Sequence, residues 1–219
     1  MLKIESFIDH TLLKPEATES QIRDLCQEAT DYNFKAVCIN PTHLQLAVSL
    51  LKDTDVKIGT VCGFPLGASQ TESKVCEAEA AENSGAQEID MVANIGAIKD
   101  QNFTKVRDDI AAVRQALVGS TILKVILECS LLTDAEIRNA AMIAADSGVD
   151  FLKTSTGFFG ATTIGQVNLL YETVGKKVSI KAAGGIRDVR MVMAMIEAGA
   201  SRIGTSSAVK IMREYNASA

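Results

Sequence analysis

Short runs of β-branched and apolar residues alternate with longer amphipathic stretches from one end of the chain to the other. That is the pattern of repeated strand–helix units around a parallel sheet. The apolar runs predict strands at Phe7–Thr11, Phe34–Ile39, Lys57–Cys62, Glu88–Val92, Leu123–Glu128, Phe151–Thr154, Ser179–Ala182 and Arg202–Gly204. The stretches between them predict helices over Ser20–Tyr32, Thr42–Leu51, Thr71–Ser84, Phe103–Leu117, Asp134–Ser147, Thr163–Val174 and Val189–Ala198, with a last one from Ser207. Strands and helices in this number and order are those of a TIM (β/α)8 barrel, an α/β fold expected to occupy residues 1–219 as one domain. An open doubly wound sheet is the competing architecture, but the early strand–helix junctions carry no G-x-G-x-x-G.

Helix punctuation agrees with the barrel. Asn83-Ser84-Gly85-Ala86, Asp146-Ser147-Gly148-Val149 and Glu197-Ala198-Gly199-Ala200 each put a glycine where a helix must stop before the next strand. No Pro/Gly/Ser-rich linker or charge block divides the chain.

A barrel strand turns one face to the surrounding helices and the other to the barrel interior, so alternation sorts its residues. Val178, Ile180 and Ala182 suit the helix face and leave Lys181 pointing inward; Leu152 and Thr154 do the same for Lys153. The same period puts Lys124, Ile126 and Glu128 inside, and Asp90 with them. Lysines are rarely buried without a partner or a task. Each could snorkel to water or join Asp90 or Glu128 in a buried ion pair. Lys153 and Lys181, however, both end adjacent strands at the face where TIM barrels do their chemistry. A lysine must be neutral to attack a carbonyl, and its reference pKa is about 10.4, so a nucleophilic lysine needs desolvation or a neighbouring cation. Lys181 is the expected neighbour of Lys153, Asp90 the expected proton carrier, and Lys124, deeper in its strand, an electrostatic element.

The net charge of −5, with acids interspersed among bases, argues against a nucleic-acid partner. No apolar run approaches a membrane span, and the first residues lack the apolar core of a signal peptide, so the expected location is cytoplasmic. Five scattered cysteines and two distant histidines, His10 and His43, suggest neither a disulfide framework nor a metal site. A small anion remains a possible ligand. Ala182-Ala183-Gly184-Gly185-Ile186-Arg187 and Gly204-Thr205-Ser206-Ser207 follow the last two strands, where TIM barrels commonly hold phosphate.

The chain resembles the deoxyribose-phosphate aldolase family from Ile8-Asp9-His10-Thr11-Leu12-Leu13 to Gly204-Thr205-Ser206-Ser207. The most specific segments are Val37-Cys38-Ile39-Asn40-Pro41, Gly63-Phe64-Pro65-Leu66-Gly67, Glu88-Ile89-Asp90-Met91-Val92, Phe151-Leu152-Lys153-Thr154-Ser155-Thr156-Gly157 and Lys181-Ala182-Ala183-Gly184-Gly185. The resemblance implies reversible cleavage of 2-deoxy-D-ribose 5-phosphate to acetaldehyde and D-glyceraldehyde 3-phosphate, without a cofactor or metal. It implies Lys153 as the Schiff-base lysine, with Lys181 and Asp90 as its catalytic partners. Asp9, Cys38, Lys124, Thr156 and Gly184 are implied around the substrate, and Gly157, Gly185, Gly204, Ser206 and Ser207 around its phosphate. Partners are then small phosphosugars and aldehydes, with a homodimer as the expected assembly. Two segments depart from many relatives: the short, bulky loop Phe158-Phe159-Gly160-Ala161-Thr162 and the brief tail carrying Tyr215. Another phosphosugar TIM-barrel aldolase or isomerase is the competing enzyme. A phosphometabolite-binding protein without turnover is the competing non-enzyme.

Overall fold

A computed structural model of the chain describes residues 2–217; residues 1, 218 and 219 of the expected domain lie outside the described residues. Strands β1 (Ile8–Leu12), β2 (Ala36–Ile39), β3 (Lys57–Cys62), β4 (Glu88–Val92), β5 (Ile122–Ile126), β6 (Phe151–Lys153), β7 (Ser179–Ala183) and β8 (Arg202–Thr205) pair in sequence order. All pairs are parallel and β8 closes onto β1, giving the TIM (β/α)8 barrel that the pattern predicted. The helices are α1 (Glu19–Asp31), α2 (Leu44–Leu51), α3 (Thr71–Asn83), α4 (Ile95–Lys99), α5 (Phe103–Ala116), α6 (Asp134–Asp146), α7 (Ile164–Val174), α8 (Val189–Glu197) and α9 (Ala208–Ala217).

Local chemistry fixes most of these boundaries. Thr18, Thr133 and Thr163 start α1, α6 and α7 with capping boxes completed by Gln21, Glu136 and Gln166. The three similar helix ends behave alike, with Gly85, Gly148 and Gly199 all left-handed. Gly199 shows why: besides its φ of +108°, a Cβ there would come within 2.6 Å of the Tyr171 ring. The short α4 was not predicted. Its cap, Asn94 accepting from the Ala97 N–H, lies in a loop too brief for helical periodicity to register.

Alternation separates two environments. Ile89, Met91, Leu123, Val125, Leu152, Ile180, Ala182 and Ile203 join the apolar layer between barrel and helices. Their sequence neighbours fill the barrel, and many of those are charged.

One inward assignment fails. Glu128, read as the inner end of the fifth strand, lies two residues beyond β5 in a left-handed conformation (φ 55°). A left-handed residue breaks the extended backbone on which the period of two depends, and the carboxylate turns to the loop after β6 instead of to the lysines.

Candidate active site

The inward residues of β4 to β7 converge on one carboxylate. Register sets Asp90 opposite Lys124 and Lys153 opposite Lys181. Lys153 Nζ and Lys181 Nζ both donate to Asp90 Oδ2, at 2.7 and 2.8 Å, and Lys124 Nζ donates to Asp90 Oδ1 at 2.9 Å. Lys181 also pairs with Asp9 Oδ2 at 2.5 Å, and Lys124 with Glu88 Oε2 at 2.6 Å. Arg202 donates to both Asp9 and Glu88. The Cys38 thiol lies 3.9 Å from Asp90 Oδ2. All of these side chains are buried. Sequence reasoning brought Asp90, Lys153, Lys181 and Lys124 to one interior but passed over Glu88 and Arg202. The same alternation contains them, since Glu88 shares parity with Asp90, and Arg202 with Gly204.

Burial by itself would neutralise these groups, and the pairing reverses that. It would raise the Asp90 carboxyl, but Lys124, Lys153 and Lys181 outweigh it and hold Asp90 well below the usual carboxylate range. Asp9 is likewise lowered despite burial, chiefly by Lys181 and Arg202. For Lys181 burial pulls downward, yet Asp9 and Asp90 hold its ammonium above the ordinary lysine value. Lys181 is therefore a permanent cation beside Lys153. Burial pushes the Cys38 thiol up, which keeps it protonated.

Above this cluster, at the C-terminal mouth of the barrel, opens a cavity of about 300 Å³. Lys153 lines it; Asp90, Lys124, Lys181, Asp9 and Cys38 lie beneath, outside its lining. Of the residues expected around the substrate and its phosphate, Thr156, Gly157, Gly184, Gly185, Gly204 and Ser206 line it. Ser207 does not, and its N–H is given to Thr205 Oγ1 at 2.9 Å. Gly184 and Gly185 both have positive φ, which bares their backbone toward the space. Gly204 keeps room for the lysine below, since a Cβ there would stand 3.2 Å from Lys181 Cε. Lys14 and Arg187 add cations at the rim.

Glu128 has a different task from the one its sequence position suggested. It accepts from Ser155 Oγ (2.9 Å), Ser130 Oγ (3.1 Å) and both the N–H (3.0 Å) and hydroxyl of Thr156. It thereby fixes the loop that follows Lys153. In that loop Phe158 borders the cavity and meets Phe64 edge-on, with ring centroids 5.4 Å apart. Tyr215, in α9, donates to the Leu2 carbonyl at 2.7 Å.

Comparison with known proteins places this geometry in context. Residues 4–213 match the model of the DeoC/LacD family aldolases. A deoxyribose-phosphate aldolase of Natranaerobius thermophilus is 51% identical over 214 residues, 97% of each chain. Deoxyribose-phosphate aldolase 1 of Staphylococcus aureus is 51% identical over 217 residues, 99% of this chain and 98% of its own. Among solved structures, the tetrameric deoxyribose-phosphate aldolase of Aeropyrum pernix superposes with a TM-score of 0.91 at 33% identity, covering 99% of this chain and 92% of its own.

Proposed function

The chain belongs to the DeoC/LacD family of aldolases, and from that premise we propose that it cleaves 2-deoxy-D-ribose 5-phosphate reversibly, through a Schiff base on Lys153. The observation that carries this reading is that Lys153, alone of the three clustered lysines, borders the cavity while sharing an Asp90 oxygen with Lys181. The Lys153 amine adds to the C1 aldehyde, and loss of water leaves an imine. Breaking C2–C3 releases D-glyceraldehyde 3-phosphate as the C3 hydroxyl gives up its proton. The protonated imine accepts the electron pair and becomes an enamine. Protonation at C2 and hydrolysis then free acetaldehyde and return the lysine.

Asp90, ionised in the free enzyme, loses the Lys153 ammonium as a partner once the imine forms, and is the carboxylate that takes the C3 hydroxyl proton and returns it at C2. Lys181 stays charged beside Lys153, the two nitrogens standing 2.8 and 2.7 Å from the same Asp90 oxygen. Thr156, Gly157, Gly184, Gly185, Gly204, Ser206 and Ser207 receive the substrate's phosphate end with backbone and hydroxyl donors. Asp9, Lys124 and Cys38 complete the floor.

The same reading takes in one aldolase domain acting without a cofactor, in the cytoplasm, on small phosphosugars and aldehydes, and assembling as a homodimer. Among the described residues no helix is long and apolar enough to cross a membrane. Borohydride reduction in the presence of acetaldehyde tests the proposal. Peptide mapping should find one reduced adduct, on Lys153. An adduct on another residue, or none, overturns the assignment.

A further inference from the structure

The buried ion pairs beneath the cavity close into a loop. Asp90 pairs with Lys181 (2.8 Å), Lys181 with Asp9 (2.5 Å), and Asp9 with Arg202. Arg202 pairs with Glu88 (2.8 Å), Glu88 with Lys124 (2.6 Å), and Lys124 returns to Asp90 (2.9 Å). Signs alternate around it, three carboxylates with three cations, so the loop is neutral as a whole. Lys153 stands outside, its one ion-pair partner among the described residues being Asp90 Oδ2 at 2.7 Å. A protonated Lys153 makes this buried set positive, and uncompensated buried charge is costly. Lys153 is thus the one charge of the set that no carboxylate of the loop balances.

We infer that Glu88 and Arg202, on the far side of the loop from the cavity, are positioning residues whose charges balance the loop and so make Lys153 the surplus cation and the nucleophile. The inference rests on the reading of Lys153 as the Schiff-base lysine. Arg202 is suited to the place. Its guanidinium cannot be deprotonated, and its fork reaches Asp9 through Nε and Nη2 and Glu88 through Nη1 and Nη2. The Phe151 ring closes this end, 5.8 Å from the guanidinium and 5.9 Å from Lys124 Nζ. The remaining titratable neighbours do not alter the count. From β2 comes the Cys38 thiol, kept protonated by burial. From below, Lys35 and Lys57 border a separate, solvent-open recess of about 220 Å³ next to Glu88, and from above Lys14 and Arg187, both exposed, stand at the rim of the cavity that Lys153 lines, where solvent screens them.

The test is the acid limb of kcat/KM against pH, measured for cleavage by the parent and by Arg202→Met, Glu88→Gln, Arg202→Lys and the double Arg202→Met/Glu88→Gln enzyme. With Arg202→Met, three carboxylates face only three lysines, Lys153 included, so its proton is retained. The acid limb should move to higher pH by about one unit, a roughly tenfold loss of rate on that limb. Glu88→Gln removes a negative charge and should move the limb the other way. The double variant restores the balance and should bring the limb back toward the parent's position, and Arg202→Lys should leave it in place. Loosened packing gives losses in one direction only and cannot produce opposed shifts that cancel. Limbs that stay put, or that move together, overturn the inference. Glu88→Gln is isosteric and carries the test if Arg202→Met does not fold. Borohydride trapping with acetaldehyde is run alongside. A parent adduct away from Lys153 overturns the Schiff-base reading, whereas Lys153 adducts throughout with unmoved limbs overturn the loop alone.

Discussion

Replacing Asp90 by asparagine should be the most informative single change in the barrel. Asp90 Oδ2 receives Lys153 and Lys181 at 2.7 and 2.8 Å, and Oδ1 receives Lys124 at 2.9 Å. An asparagine amide has one acceptor and one donor end, so either orientation turns its NH2 toward at least one buried ammonium. Breaking a buried pair in this way costs about 3–5 kcal/mol. For a chain of this size that is a fall in Tm of about 6–20 °C. Turnover should fall by roughly a hundred- to ten-thousandfold, since the group that moves protons is gone.

The pH dependence gives a second reading of the same variant. Three lysines hold the Asp90 carboxyl well below its ordinary range against burial. A group depressed on folding contributes its stability in full above its unfolded value, near pH 4, and loses it as pH falls toward the folded value. The difference in Tm between parent and Asp90→Asn should therefore be largest above about pH 5 and shrink toward about pH 2. Thermal melts across that range, together with steady-state cleavage of 2-deoxy-D-ribose 5-phosphate, make the measurement. A variant with turnover within threefold of the parent, or a Tm difference that widens in acid, would refute the reasoning.

Ser206→Asp puts a negative charge on the cavity lining. It should weaken kcat/KM for the phosphorylated sugar by ten- to a hundredfold, the loss of one charge-assisted bond of about 1.5–3 kcal/mol, while cleavage of unphosphorylated 2-deoxyribose changes little. Equal losses on both substrates would move the phosphate elsewhere. Since the imine is the electron sink, turnover should survive exhaustive dialysis against EDTA. Activity lost to EDTA and restored by a divalent metal would replace the Schiff-base mechanism.

What the sequence by itself determined is whatever obeys a short period. Strand alternation and helix periodicity are set by local backbone geometry, so eight strands, the long helices and the inward direction of Asp90, Lys124, Lys153 and Lys181 were legible. So were the glycine helix ends, because a left-handed turn admits few other residues. Where a strand ended, the rule ended. Glu128 kept its parity in the sequence and lost it in space, becoming the anchor of the loop that carries Thr156. Ser207 lies one residue beyond the cavity lining, and that its N–H is given to Thr205 Oγ1 could not be read from a row of small polar residues. Only barrel closure decided the partnership of Glu88, Arg202 and Asp9. Asp9 lies 193 positions from Arg202 in the chain, and β8 must meet β1 before a carboxylate at one end can share a guanidinium with the other. Periodicity tells which way a side chain points; which charge it will meet there depends on strand register around the closed circle, where contacts between the two ends of the chain first exist.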